Sequence, residues 1–411
     1  VPEQVACTGV LFVIHFLKCS EPAMPRHFDT TYDVVKELKP SYPVYCLRPD
    51  ILRDAARRFV DSFPGKVLYA VKCNPHPEIM RYLHEGGVRH FDTASPEEIA
   101  LVRRQFPGMD AYFMHPVKSR DAIRSAHRVF GIRHFVIDTE DELHKIRAET
   151  DEDPDLVIHV RLATPPAGAA YNLSAKFGAR PMTAAELIKK VDSYGYKAGL
   201  CFHVGSQCTS PNGYRIAIEL IRQVIDFSGV KVHSIDVGGG FPGQYMNQRG
   251  PNLDVFMDEI RDCIRWLDMP DITFMCEPGR ALVSSGVSLV TQIQLRKEDQ
   301  LFINDGIYGS LSEAVTGNLR FPVRPMRIDG DFDPEETLEF TIYGPTCDNM
   351  DVLPATVNLP ADIREGDWIE FGHIGAYSNA LATHFNGFYP ELLVTVGETF
   401  PFIDGEFPQV G

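Results

Sequence analysis

Lys72 ends the apolar run YAVK, and Glu277 and Arg280 stand close together in CEPGR. Gly238-Gly239-Gly240 follow another apolar run, and His203 lies in FHVGSQ. Asp92, His115, Asp138 and Arg161 close further runs of the same kind. Each residue has a chemical reading and a bland one. A strand-end lysine suits a Schiff-base amine, because burial lowers a lysine pKa readily. It equally suits an ammonium that snorkels to water. Three glycines let backbone N–H groups approach an anion closely, or simply make a tight turn. VGGGFPG is not the G-x-G-x-x-G dinucleotide pattern. Arg280 is a phosphate partner or a surface arginine. His203 is a flat ring for stacking on an aromatic cofactor, or a core histidine.

Glu277 narrows the choice. A buried carboxylate facing a ring nitrogen keeps that nitrogen protonated, and pyridoxal phosphate needs such a partner to act as an electron sink. The chain places no second metal-spaced carboxylate near it, and no metal is expected. A lysine, a glycine cradle, a carboxylate and a ring neighbour, each at the end of a separate apolar run, together indicate a pyridoxal 5'-phosphate site.

The elements that carry these residues repeat. The runs are Lys66–Lys72, His90–Ser95, Ala111–Pro116, His134–Thr139, Leu156–Ala163, Ala198–Gly205, Val232–Gly240 and Ile272–Gly279. Helix-length segments separate them. A helical pattern spans Arg48–Phe63. Another opens at Pro77 and stops at Gly86 and Gly87. A third has Ser95 as N-cap and Glu98 in capping-box position; a fourth has Thr183 as cap and Gly195 as stop. Eight strands alternating with helices predict a (β/α)8 barrel, which takes about 250 residues, with the active site at the C-terminal strand ends. A doubly wound open sheet is the alternative. After about Val283 the texture turns to strands separated by Gly, Pro and Asp, an all-β domain. The expected division is 1–47 joining the β domain, 48–282 the α/β barrel, and 283–411 the β domain.

The 411 residues are 44% hydrophobic and 23% charged, values that exclude a disordered or disulfide-scaffold chain. A net charge of −16 makes the chain a poor nucleic-acid binder. Nine cysteines show no C-x-x-C and no zinc spacing, as expected of reduced thiols in a cytoplasmic protein. The apolar stretch Gly9–Leu17 is too short to span a bilayer and reads as a strand or an irregular N-terminus.

At its motifs the chain resembles the fold-type III pyridoxal phosphate enzymes, most closely the eukaryotic-type ornithine decarboxylase family. The matching strings are YAVKCN, FDTASPEEI, KFGA, FHVGSQC, DVGGGFPG, EPGR, NDGIYGS, YGPTCDNMD, GAYSNA and FNGF. They cover about residues 40 to 390, and GPTCD and the ordered set are the specific part.

The resemblance implies roles. Lys72 would attach the cofactor, Glu277 hold its ring nitrogen and His203 stack on its ring. Ser206, Gly239, Gly240, Gly279, Arg280 and Tyr377 would surround the phosphate. Asp92 and Arg161 would lie near the ring, and Glu98 would frame the site. Lys176 would join an intersubunit ion-pair network. In a homodimer, Cys347 would enter from the partner subunit to return a proton to the substrate carbon. Asp348 would bind the distal amine of a basic amino acid, and Phe385 would line that cavity.

One departure stands out. The family's ornithine enzymes carry an acid after NDGIYGS, where this chain has Thr316 and Gly317; Glu313 is the nearest acid and is out of register. The expected activity is decarboxylation of L-ornithine to putrescine, a step of polyamine biosynthesis, with L-lysine next. Alternatives are arginine or another diamino acid, a racemase of the same fold, or a non-catalytic homologue. Racemases of this fold would carry an arginine at the ring nitrogen, so Glu277 argues against that reading.

Overall fold

Eight parallel strands pair in chain order and close on themselves. They are Lys66–Ala70, His90–Thr93, Asp110–Phe113, His134–Ile137, Val157–Arg161, Lys197–Cys201, Ser234–Asp236 and Thr273–Cys276. Met275 and Cys276 complete the ring by pairing with Lys66 and Val67. The computed structural model describes residues 25–165, 169–171, 175–333 and 335–401. The stretch Gly9–Leu17 lies outside the described residues.

Both faces of each strand are covered, which is why the strands read as near-continuous apolar runs. Leu68, Tyr112, Met114, Val136, Cys201 and Met275 fill the barrel interior. Val67, Tyr69, Phe91, Phe113 and Phe135 face the surrounding helices instead.

Helix starts follow local chemistry. Pro77–Glu85 and Pro96–Gln105 both begin on a proline, whose missing N–H costs nothing there. Ser95 Oγ accepts the Glu98 N–H at 3.2 Å, but the Glu98 carboxylate reaches the N–H of Ala94 at 2.7 Å, not that of Ser95. The expected capping box is therefore half formed. Thr183 is no cap: the helix runs Pro181–Ser193, because Pro181 presets the first turn two residues earlier.

Ala169–Tyr171 and Ser206–Cys208 pair as a separate two-stranded sheet, and nine further strands form a larger one. Val287–Lys297 is its spine, paired with Val44–Leu47, Trp368–Phe371 and Gln300–Ile303. Leu392–Val396 lies parallel to Val44–Leu47, and His27–Phe28 parallel to Leu392–Val396. Two strands escape the turn-and-run reading, Val323–Met326 and Val357–Pro360. Each contains a proline and pairs with one neighbour only, as an edge strand can. The β-rich region is stitched to the C-terminal mouth of the barrel. Asn74 donates to the Gly375 carbonyl at 2.8 Å, and the Tyr377 N–H to that of Cys73 at 2.9 Å. Among the described residues, no helix is long and apolar enough to cross a membrane.

Candidate active site

Lys72 leaves the first barrel strand on a single 3-10 turn, Val71–Cys73, and its side chain, 41% accessible, projects into the barrel mouth. Its ammonium lies 2.8 Å from the buried carboxylate of Asp92, which ends the next strand. Burial pulls the lysine pKa down, but Asp92 and Glu277 outweigh it and hold the amine above its ordinary range. Glu98 stands behind Asp92. Burial raises its pKa, and the Asp92 charge adds to that.

Glu277 follows the last strand directly, with its N–H on the Gly238 carbonyl at 2.8 Å. Burial pushes its carboxyl well up, and Asp92 and Asp236 push it further; Lys72 and Arg161 oppose. Burial also lifts Asp236 to about 7, although Gly238 donates to its Oδ1 at 2.7 Å. Among the described residues, Asp236 Oδ2 is buried without a hydrogen-bond partner. Two such carboxyls side by side can share one proton. A proton held there is available to a ring nitrogen placed against Glu277.

His203 Nδ1 accepts the N–H of Gly205 at 3.0 Å, so the Nε2 edge carries the proton of the neutral ring. Burial, then Arg161 and Lys72, drive its pKa well down. A neutral flat ring is a stacking surface. Gly239 makes room for it: a Cβ there would come within 3.0 Å of His203 Nε2 and 2.5 Å of the Glu277 carbonyl. At Gly240, φ is +105° and a Cβ would meet the Gly205 carbonyl at 2.5 Å. Both positions exclude any larger residue without rearrangement. Gly279 is equally crowded, by the Cys73 side chain. Arg161 lies over the Phe177 ring at 5.5 Å, and the exposed Lys176 at 5.0 Å from the same ring. His115 and Asp138 also reach this mouth: His115 packs edge-on against Phe177, and Asp138 accepts the Gly178 N–H at 2.9 Å.

Arg280 begins a short helix, Arg280–Val283, with its guanidinium under the Tyr377 ring at 5.1 Å. Tyr377 holds φ at +56°, a conformation that costs a non-glycine residue and that clusters at functional sites. Arg280 donates to Ser206 Oγ at 3.4 Å and to Tyr245 Oη at 2.8 Å. Its main partner is Glu313, which takes both terminal nitrogens at 2.6 Å each. Sequence reading missed this pair. Glu313 was visible only as an acid in the wrong register for a substrate contact.

These residues fit pyridoxal phosphate. The glycine loop brings backbone close where no side chain fits, a flat imidazole packs beside it, and two buried carboxyls, both shifted upward, act on the lysine from close by. Arg280 Nε is buried without a partner among the described residues, and Ser206 lies next to it. When bound, the cofactor supplies the sink for the electron pair that a departing carboxylate leaves.

Cys347 and Asp348 are elsewhere. The Cys347 N–H binds Asn386, and Asp348 takes the Tyr308 hydroxyl at 2.5 Å and the Met350 N–H at 3.0 Å. The Tyr308 bond, then that N–H, hold Asp348 below the usual carboxylate range, so it is ionised. Phe385 packs against Tyr308 at 5.0 Å between ring centres. Met350, Leu381, Phe385 and Phe388 are all exposed around this cluster. None of these hydrogen bonds reaches Lys72 or Glu277 in the same chain. Gly317, where an acid was expected, has no side chain; its carbonyl accepts from Gln248 at 3.1 Å and its N–H donates to the Glu313 carbonyl at 3.0 Å.

Similarity to known proteins agrees with this geometry. Residues 50–284 match the family model described as pyridoxal-dependent decarboxylase, pyridoxal binding domain. The decarboxylase flvG of Aspergillus flavus is 33% identical over 357 residues, 82% of this chain and 81% of that protein. The lysine/ornithine decarboxylase of Vibrio vulnificus, solved with cadaverine, superposes with a TM-score of 0.77 at 31% identity, covering 89% of this chain and 97% of that one. The arginine decarboxylase of Paramecium bursaria Chlorella virus, solved with agmatine, gives 0.79 at 28% identity, covering 89% and 98%. With a closed eight-stranded barrel, a lysine at its mouth and the family match over residues 50–284, the chain belongs to the pyridoxal-dependent decarboxylases of fold type III.

Proposed function

We propose that the substrate is a basic L-amino acid, L-ornithine first and L-lysine next, and that the active site is shared between two subunits. The observation that carries this reading is Asp348, a carboxylate kept ionised by Tyr308 on an exposed apolar patch. An ionised acid beside aromatic rings suits the far ammonium of a diamino acid. Its distance from the lysine site within one chain is resolved if a second copy brings the patch over the barrel mouth.

Each side chain then has a task. Lys72 would hold the cofactor through its amine. Glu277 would keep a proton at the ring nitrogen, and His203 would offer a flat face to the ring. Arg161 and Asp92 fix the charges around the reacting carbon. Cys347 of the second copy returns a proton to that carbon after CO2 leaves. The relatives solved with cadaverine and agmatine support a diamine-type product.

The test is amine release from ornithine, lysine, arginine and diaminopimelate. Ornithine is expected to have the highest kcat/KM, with lysine within about tenfold to a hundredfold, because one methylene is worth little and Gly317 leaves room for it. Diaminopimelate would set a carboxylate against Asp348 and should be poor. A preference for diaminopimelate, or turnover of arginine alone, would overturn the assignment.

A further inference from the structure

The two terminal nitrogens of an arginine form the fork that normally grips a phosphate. In Arg280 that fork is spent. Glu313 takes one N–H from each terminal nitrogen at 2.6 Å, and both side chains are buried, about 3% and 4% exposed. Tyr245 takes a second proton at 2.8 Å. What is left over is the other edge, the buried Nε–H, without a hydrogen-bond partner among the described residues, and the nitrogen that reaches Ser206 at 3.4 Å. The charge of that edge is offset by a carboxylate directly behind it. Glu313 comes from Glu313–Thr316, the short helix whose end, Gly317, lacks the expected substrate acid.

We propose that Glu313 is a positioning residue that turns Arg280 edge-on and offsets its charge, so that Arg280 adds less to the hold on the cofactor phosphate than an unpaired arginine fork would. This rests on the reading that Arg280 and the glycine loop form the phosphate subsite.

The readout is the ratio of dissociation constants for pyridoxal and pyridoxal 5'-phosphate, from equilibrium absorbance titrations. The wild-type ratio is the reference. Glu313→Gln should raise the ratio about tenfold by restoring a charge-assisted contact. Glu313→Leu should act the same way, and circular dichroism checks that each variant folds. The double variant Glu313→Gln/Arg280→Gln should lose the gain. If Glu313→Gln leaves the ratio unchanged or lowers it while the double variant falls further, the role given to Glu313 is wrong and the Arg280 subsite stands. If no variant moves the ratio, Arg280 does not touch the phosphate and the subsite reading itself fails.

Discussion

Lys72 Nζ and Asp92 Oδ2 are 2.8 Å apart, an amine in the barrel mouth tied to a carboxylate that is only 2% exposed. The pair joins the ends of two adjacent strands, Lys66–Ala70 and His90–Thr93. Asp92 therefore aims the lysine across the barrel mouth rather than out into water.

Removing the amine removes the point of attachment. Lys72→Ala, saturated with cofactor, should lose both turnover and the visible absorbance of the lysine-bound form. An unchanged spectrum would show that another amine holds the cofactor.

Glu277→Ala tests the shared proton. Its role lies in stabilising charge as CO2 departs, so kcat should fall by about a hundredfold or more while cofactor affinity changes far less. Normal kcat with weak cofactor binding would make Glu277 a structural residue only.

Shared sites can be tested by mixing. Lys72→Ala and Cys347→Ala are each expected to be inactive. Random exchange makes half the dimers mixed, each with one intact site, so about a quarter of the sites should recover. No recovery after confirmed exchange would place both residues in one subunit's site.

The opposite mouth of the barrel predicts a pH effect. His134 is 3.3 Å from His159, and the Tyr112 ring packs on it at 4.4 Å. Burial, with Lys66 against a weaker opposing pull from Asp110, and with His233 and His90, lowers its pKa to about 4. The unfolded chain takes up a proton near pH 6.5 that folded His134 refuses. Stability from this group is thus complete above pH 6.5 and lost as the pH falls toward 4. Between pH 7 and 5 the wild type should lose about 2 kcal/mol more than His134→Gln, measured by urea unfolding. The comparison is needed because Asp236, raised to about 7, works in the other direction over the same range. Equal losses in the two proteins would show that His134 is not held neutral.

All eight barrel strands were legible, because two-sided burial writes each as an apolar run and prolines mark where several of the intervening helices begin. The residues at their ends followed from the same frame. Glu313 was not legible. Its meaning depends on Arg280, 33 residues away on another element, and no local pattern records that pairing. The edge strands with Pro325 and Pro360 failed for a different reason: a proline argues against a strand everywhere except at an edge, and edges are a property of the assembled sheet. Thr183 shows two start signals competing two residues apart, with Pro181 the stronger.

The place of Val44–Leu47 between Val287–Lys297 and Leu392–Val396 bears on how the chain is made. Next to it, Arg48 is sealed under Glu370, 322 residues downstream. During synthesis the whole barrel leaves the ribosome before this early strand meets either neighbour. Most barrel strands pair with the next strand in sequence, and closure needs the chain only as far as Cys276, whereas the sheet must wait for nearly the last residues described. Until Val287–Lys297 arrives, Val44–Leu47 is an apolar strand with two open edges, and until Leu392–Val396 it keeps one, the kind of segment that pairs with other chains at high concentration. The slow and aggregation-prone stage of folding is thus assigned to the sheet, and shortening the chain before Leu392 would leave that stage without an end point.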